Sequence, residues 1–430
     1  MQRGTFQWMK SVNKTIVLNK IRKSAPISRA QIAKETELTP PTVSSIVKEL
    51  LGQGLIMESE SGDSSGGRKP TMLRVCHEAF FVIALDAGPD RVDCVVSDLG
   101  GNVVKRSSDR IDLPTTEDAF LDQLKKSIAD IIEEAKLDLD KTLGIGLAMH
   151  GVVNVETGTS LYAPNLNLTD IPIKARLEEA FELEVIVEND ARAMALGEAW
   201  FGNHLESDSM LVINFGRGVG AGMIVNGELY HGAQDIAGEV GHMTIDMNGN
   251  VCDCGNKGCL QTFATGEAIG RRAEANAEVD ESDESDESDA AMTGEEPERR
   301  AGAKSDMAMT GEEPECRAGA KSDTAMTGEM VYKRADAGEA HYVRVLEDTG
   351  DIMGIALTNL IHIMNPEKIV LGGGVMNAKK FLLPPIKETI ANQALTADAK
   401  QTAIAVSELG DDATLLGAVS LFLVEVFALK

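Results

Sequence analysis

Three cysteines crowd into the segment Cys252-Asp-Cys254-Gly-Asn-Lys-Gly-Cys259, with His242 a short distance upstream. Three thiolates and an imidazole close a tetrahedron around a borderline-soft divalent ion, so the chemistry expected of this set is zinc binding. Four protein ligands leave no open position for a catalytic water, which makes the expected ion structural. Gly255 and Gly258 let the connecting loop turn tightly. The plainer reading is three reduced cysteines in an ordinary loop. The other cysteines, Cys76, Cys94 and Cys316, are scattered, so the clustering favours a metal site over a disulfide framework.

A different chemistry is written between residues 28 and 70. The stretch from Thr39 to Leu51 places Val43, Ile46, Val47, Leu50 and Leu51 on one helical face and Thr42, Ser44, Ser45 and Lys48 on the other. Short hydroxyls and one lysine meet base edges or phosphates in a major groove without the repulsion carboxylates suffer, so this face suits reading duplex DNA. Further on, a Gly/Ser-rich run leads into Arg68-Lys69-Pro70, the composition of an arm laid into a narrow minor groove. Charge agrees with this. Residues 1–76 hold twelve Lys or Arg against six Asp or Glu, whereas the whole chain carries a formal net charge of −27. Neutralising phosphates requires such a local excess. The bland alternative is a small helical bundle with a flexible linker, since lone helix-turn-helix patterns occur by chance.

Positioning these side chains requires a three-helix core. Ser28 with Gln31 forms a capping box that opens one short helix, and Thr39 with Pro40 or Pro41 opens the next. An earlier helix, around Asn13 to Lys23, supplies Ile16, Val17, Leu18 and Ile21. Gly52 to Gly54 ends the reading helix, and Leu55-Ile56-Met57 is expected to begin a wing whose tip runs from Ser59 to Arg68. After Cys76 strands and helices alternate. Phe81–Asp86, Val92–Asp98 and Val103-Val104 predict a meander, followed by a helix from about Thr116 to Lys136 and strands at Leu143–Met149 and Glu184–Glu188. Met210–Phe215 opens a second, similar lobe. Strand, Asp, Gly-containing turn and meander occurring twice predict an actin-like, sugar-kinase-like (ribonuclease H-like) α/β fold. The expected organisation is a winged helix-turn-helix domain over residues 1–76 and a two-lobed domain over residues 77–430.

With 430 residues, 43% of them hydrophobic, the chain can bury more than one core. It contains no run of eighteen apolar residues and no N-terminal apolar signal core, so a cytoplasmic location without membrane association is expected. Residues 278–329 do not suit a packed core. An acidic run over 280–289 is followed by Ala-Met-Thr-Gly-Glu beginning at Ala291, Ala308 and Ala325, with almost no large aliphatic or aromatic side chain. This composition predicts a disordered acidic insertion within the second domain, either an interaction segment or a repeat expansion without a task.

Asp86-Ala-Gly88, Ala163-Pro-Asn165, Glu188-Asn-Asp190-Ala, Gly216-Arg-Gly218-Val-Gly220, Gly238-Glu239-Val-Gly241-His242, the cysteine cluster and Gly372-Gly-Gly374 follow one another in an order that resembles the ROK family of bacterial repressors and sugar kinases. The resemblance covers nearly everything outside the insertion. With an N-terminal winged helix it is similar to the repressor branch, and Asn13 to Pro70 looks most like xylose-operon repressors of Gram-positive bacteria. It implies a homo-oligomer, a dimer in the simplest case, that binds operator double-stranded DNA of a carbohydrate operon. A small sugar effector, xylose by this resemblance, would release it. The resemblance also implies that Asn165, Asn189, Asp190, Glu239 and His242 hold the sugar, with His242 shared between sugar and metal. One departure is Gln261, where the family often has Glu, so the pocket loses a charge there.

The alternative is an ATP-dependent sugar kinase, in which Asp190 would be the base. Its first phosphate loop reads Asp86-Ala-Gly88-Pro89-Asp90, whereas family kinases resemble Asp-x-Gly-Gly-Thr. Pro89 removes an N–H donor, and Asp90 places negative charge where phosphate should sit. In the second loop Arg217 replaces the family's usual Thr. No catalytic residue is therefore assigned, and no enzyme activity is expected. A metal-stabilised adaptor that binds neither DNA nor sugar is a third reading. The favoured one is a population shift in which sugar closes the lobes and changes the spacing of two winged helices on a palindrome.

Overall fold

The computed structural model describes residues 12–59, 70–203, 207–275 and 325–427. Arg68, Lys69 and most of the wing tip lie outside these residues, as do 278–324 of the acidic stretch. The remaining residues of that stretch, 325–329, are described and depart from the expectation of disorder. Thr327 caps the helix Gly328–Asp336, accepting from the Met330 amide at 3.2 Å, and the Met326 amide donates to Glu274 at 2.7 Å. The third copy of the repeat thus belongs to the folded lobe.

Helices α1 (Val12–Ser24), α2 (Arg29–Thr36) and α3 (Pro40–Gly52) form the N-terminal unit with strands β1 (Ile27–Ser28), β2 (Ile56–Ser59) and β3 (Met72–Val75) in the order β1-β3-β2. The local signals act as expected: Ser28 and Gln31 make both halves of a capping box, and Thr39 caps α3 with Pro at its first positions. Val17, Leu18 and Ile21 of α1 pack with Ile32 of α2 and with Val43, Ile46, Val47 and Leu50 of α3. Ile16 and Leu51 are half-buried.

Lobe 1 is a five-stranded sheet in the order β11-β7-β4-β5-β6, built from β4 (Phe81–Ala87), β5 (Arg91–Asp98), β6 (Val103–Arg110), β7 (Thr142–Met149) and β11 (Val185–Asn189). Strands β4, β5 and β6 are an antiparallel meander, and β4, β7 and β11 run parallel. Helix α4 (Glu117–Ala135) covers this sheet with Phe120, Leu121, Leu124, Ile128 and Ile131; Thr116 caps its start and Lys136 adopts the left-handed conformation at its end. Between β7 and β11 in the chain comes a small separate sheet of β8 (Val152–Asn154), β9 (Thr159–Ala163) and β10 (Leu168–Ile171), followed by α5 (Ile173–Phe181).

Lobe 2 repeats the plan. Strands β12 (Met210–Phe215), β13 (Val219–Val225) and β14 (Glu228–Tyr230) form the meander, and β15 (Lys368–Gly372) and β16 (Ala403–Val406) extend the parallel part, giving the order β14-β13-β12-β15-β16. Gly328–Asp336 is α7, followed by α8 (Ala340–Met364) and α9 (Lys379–Gln393). Helices α6 (Asp190–Phe201) and α10 (Ala413–Phe427) pair between the sheets, α6 against β12 and β13, α10 against β4 and β7. Their backbones nearly touch: a Cβ on Gly197 would lie 2.2 Å from Ala413 O, and one on Gly417 would lie 1.8 Å from Ala193 O. Among the described residues no helix is long and apolar enough to cross a membrane.

Candidate functional site

The cysteine segment folds as a knuckle held by two isolated bridges, Thr244 with Cys259 and Val251 with Lys257. Gly258 adopts a positive φ of 66°, and a Cβ there would lie 1.6 Å from Asp246 O, so the turn requires glycine. His242, Cys252, Cys254 and Cys259 present ligand atoms that all lie within 4.8 Å of one another. Cys254 Sγ is 3.7 Å from Cys259 Sγ, and Cys252 Sγ is 3.7 Å from His242 Nδ1. Metal–sulfur bonds of about 2.3 Å give tetrahedral edges of about 3.8 Å, so the donors already stand at ligand spacing. Burial pushes the Cys254 thiol up, but hydrogen bonds from the Asn256 amide and the neighbouring donors outweigh it and bring it to about 7. Burial and the adjacent thiols push Cys259 up to about 12. Crowded thiols that cannot all ionise alone are a donor set matched to a cation. Gln261 does not reach away from the knuckle: its Nε2 donates to Cys252 Sγ at 3.1 Å.

A second cluster lies at the carboxyl ends of the parallel strands of lobe 1, where ligands of α/β sheets bind. Asn189 ends β11 and caps α6, accepting from the Arg192 amide at 3.1 Å. Its Nδ2 donates to Gly151 O at 2.9 Å and to Asp190 Oδ1 at 3.0 Å. Burial pushes the Asp190 carboxyl up, and the nearby His150 opposes that shift. Burial likewise raises Glu239, with the Asp190 charge adding to it and His242 opposing. Asp190, hydrogen-bonded to Asn189, thus acts on Glu239, and His242 acts on Glu239 from the start of the knuckle. Asn165 is exposed in the turn after β9, next to Pro164, whose ring lies against Gly151.

Of the further residues in this neighbourhood, the sequence did not single out His150, Arg192 and His231, and it gave Asp86 and Glu188 only as parts of longer motifs. His150 follows β7 and is only 5% exposed; its Nδ1–H donates to Ala87 O at 2.9 Å, and its Nε2 has no hydrogen-bond partner among the described residues. A buried ring nitrogen without a partner is uncommon in a folded chain. Asp86, the penultimate residue of β4, is driven up to about 7 by burial and by the charge of Asp190. Glu188 and Arg192 form a buried ion pair at 2.7 Å. His231 Nε2–H donates to the other Glu188 oxygen at 2.7 Å, and Arg192 donates to Asp235 O at 2.6 Å. Burial opposes ionisation of Glu188, but the His231 hydrogen bond and the Arg192 charge hold its carboxyl below the usual range. The network ties β11 and α6 to the loop that leads into Glu239. Asp86 and Glu188 stand in the motifs Asp86-Ala-Gly88 and Glu188-Asn-Asp190-Ala, His150 is marked only by its place at a strand's carboxyl end, and Arg192 and His231 carry no local signal.

In the N-terminal unit, Ser44, Ser45 and Lys48 of α3 are exposed. Thr42 is half-buried, and its hydroxyl lies 2.8 Å from that of Thr39, so it shares in the cap.

Comparison with known proteins agrees with this architecture. Residues 82–425 match the ROK family, and residues 17–57 match a winged helix-turn-helix DNA-binding family. The chain is 29% identical over 420 residues to the xylose repressor of Caldicellulosiruptor bescii, covering 97% of each chain. It is similar, with a TM-score of 0.77 and 28% identity over 98% of both chains, to the crystal structure of a ROK family transcriptional regulator described as a homolog of the Escherichia coli MLC protein. A ROK family glucokinase from Streptomyces griseus, solved with glucose and AMPPNP, superposes with a TM-score of 0.62 at 26% identity; the match covers 79% of this chain and 98% of that one. From residue 82 to residue 425, the chain belongs to the ROK family.

Proposed function

We propose that this protein is a sugar-responsive transcriptional repressor. A hydroxyl-lined helix exposed for the major groove, on the same chain as a desolvated polar site between two lobes, is the observation that carries this reading. Asn189 and Asp190 approach from lobe 1 and Glu239 and His242 from lobe 2, so a sugar held by all four would draw the lobes together. Asn165 would close the rim. His242 turns Nδ1 toward the thiols, which leaves Nε2 as the nitrogen offered to a sugar hydroxyl. A zinc ion held by His242, Cys252, Cys254 and Cys259 would fix the orientation of that ring. Similarity to a xylose repressor favours xylose as the sugar. A dimer would set two copies of α3 on a palindrome, with Thr42, Ser44, Ser45 and Lys48 in the groove and Arg68 and Lys69 on the flank.

Kinase activity is not part of the proposal. Arg217 Nη2 donates to Asp90 Oδ2 at 2.6 Å across the mouth of the two turns that family kinases would use for phosphates. The two departures from the kinase pattern thus satisfy each other, and with Pro89 they leave little for a nucleotide to bind. Incubation with ATP and sugar is expected to release no ADP above background.

The repressor reading is tested by selecting a duplex from a randomised pool and following its anisotropy with and without xylose, glucose or N-acetylglucosamine. Binding without sugar and release by one of the three is the expected result. Indifference to duplex DNA of every sequence overturns it. Asp190→Ala is expected to keep operator binding and lose release.

A further inference from the structure

We infer that helix α6 is the rod that carries sugar occupancy to the DNA-reading unit, and that Arg22 and Trp200 are the positioning residues at its far end. The inference rests on the repressor reading but concerns a part of the molecule remote from both sugar and DNA. The sugar-facing residues Asn189 and Asp190 form the N-terminal end of α6. Trp200 is the penultimate residue at the other end, about 15 Å away at 1.5 Å per residue. There the guanidinium of Arg22, from α1, lies over the Trp200 ring at 4.1 Å from its centroid and 5.7 Å from that of Phe427. The Trp200 and Phe427 rings pack on each other at 5.7 Å with a 58° tilt. Asn19 of α1 donates to Phe427 O, so the last described residue of α10 is fastened to the same helix.

Three properties make this a transmitting contact. First, α6 and α10 pack backbone against backbone at Gly197 and Gly417, so they move as one body. Second, the Arg22 guanidinium is held by aromatic faces: its buried Nε finds no acceptor among the described residues, and burial lowers its pKa to about 10, so the ion's place depends on the rings beneath it. Third, the seat borders open space. A cleft of about 680 Å³ between the wing strands and lobe 1 is lined by Arg22 and Phe427 themselves, together with Pro26, Met57, Arg74, His77 and Asp98. The reader therefore has room to turn about the Arg22 contact when the seat turns.

The test uses the full-length protein, the selected duplex and the three sugars named above. Operator affinity is measured with and without saturating sugar, and sugar affinity is measured by calorimetry on DNA-free protein. In the wild type the sugar is expected to weaken operator binding at least tenfold. Trp200→Ala is expected to keep the sugar dissociation constant within twofold while the sugar effect on operator binding falls below threefold. Trp200→Phe, which preserves a ring under Arg22, is expected to restore most of it. Arg22→Gln, on the reader's side, is expected to match Trp200→Ala, so the outcome does not hang on one variant's folding. A wild type released by sugar, with Trp200→Ala or Arg22→Gln released equally well, overturns the rod and leaves the repressor reading intact. A wild type insensitive to all three sugars overturns both.

Discussion

Lobe 1 and lobe 2 run through the same sheet order, meander first and parallel extension second, but they brace their site-facing loops by different means. After β7, lobe 1 folds the chain into the small sheet β8–β10, whose backbone hydrogen bonds support the turn around Pro164 and Gly151. After β14, lobe 2 has no such sheet among the described residues: its loop is held by turns, by scattered backbone bonds such as Ala221 N–H to Gly238 O at 2.8 Å and Ile245 N–H to Gly258 O at 2.8 Å, by two isolated bridges and by a cluster of thiols beside Glu239 and His242. An ion held by that cluster would add to the loop's order. The site therefore has one wall braced by a sheet and one by the knuckle, and the lobe 2 wall is the one expected to respond to metal and to sugar.

The largest effect should come from removing that brace. Cys252→Ser, or a strong chelator, is expected to lower Tm by roughly 10 °C or more. Amide exchange should rise in residues 239–265 and remain unchanged in 150–171; equal rises in both lobes would erase the asymmetry. Next is the tie between the walls. Arg192→Leu leaves the buried Glu188 without its guanidinium, with only the His231 hydrogen bond remaining, and is expected to cost about 3–5 kcal/mol in chemical denaturation. Adding Glu188→Leu should recover much of that, and failure to recover would mean the pair does more than neutralise.

A smaller effect belongs to Asp86. Its folded-state pKa of about 7 lies above that of an unfolded aspartate, so the stability it contributes is full below the unfolded value and is lost as pH rises through about 7. Asp86→Asn should therefore gain on the wild type as pH rises, with the difference in Tm between the two widening in its favour by a few degrees from pH 5 to pH 8. A constant difference would place the charged group elsewhere. The smallest effect is assigned to the exposed pair of Asp90 and Arg217. A double-mutant cycle with Asp90→Ala and Arg217→Ala should return a coupling of about 0.2–1 kcal/mol, and a null coupling would remove this link between the lobes.

What could be read from the sequence was local. The caps at Ser28 and Thr39, the two faces of α3 and the cysteine spacing each lie within a few residues, and short-range rules suffice for them. Strand β6 runs to Arg110, well past Val103-Val104, because Lys105 to Arg110 lie at a sheet edge where polar side chains are tolerated. His150, Arg192 and His231 were illegible for the opposite reason: each is a lone residue, and only the crossing of β7, β11 and the loop after β14 brings them together. Asn189, Asp190, Glu239 and His242 were indicated by family resemblance. The helix starting at Gly328 was missed because its first residues repeat a motif that, in its other copies, is embedded in polar sequence.

That helix bears on how the gene can change length. The amide of Val331 donates to Thr327 O at 3.0 Å, and its side chain is fully buried; the earlier copies carry Pro297 and Pro314 at the corresponding place. Proline can supply neither that donor nor that side chain, so the lobe distinguishes its own segment from the near-duplicates preceding it. Replication slippage by whole units can therefore lengthen or shorten this tract without offering the fold a competing start for the helix.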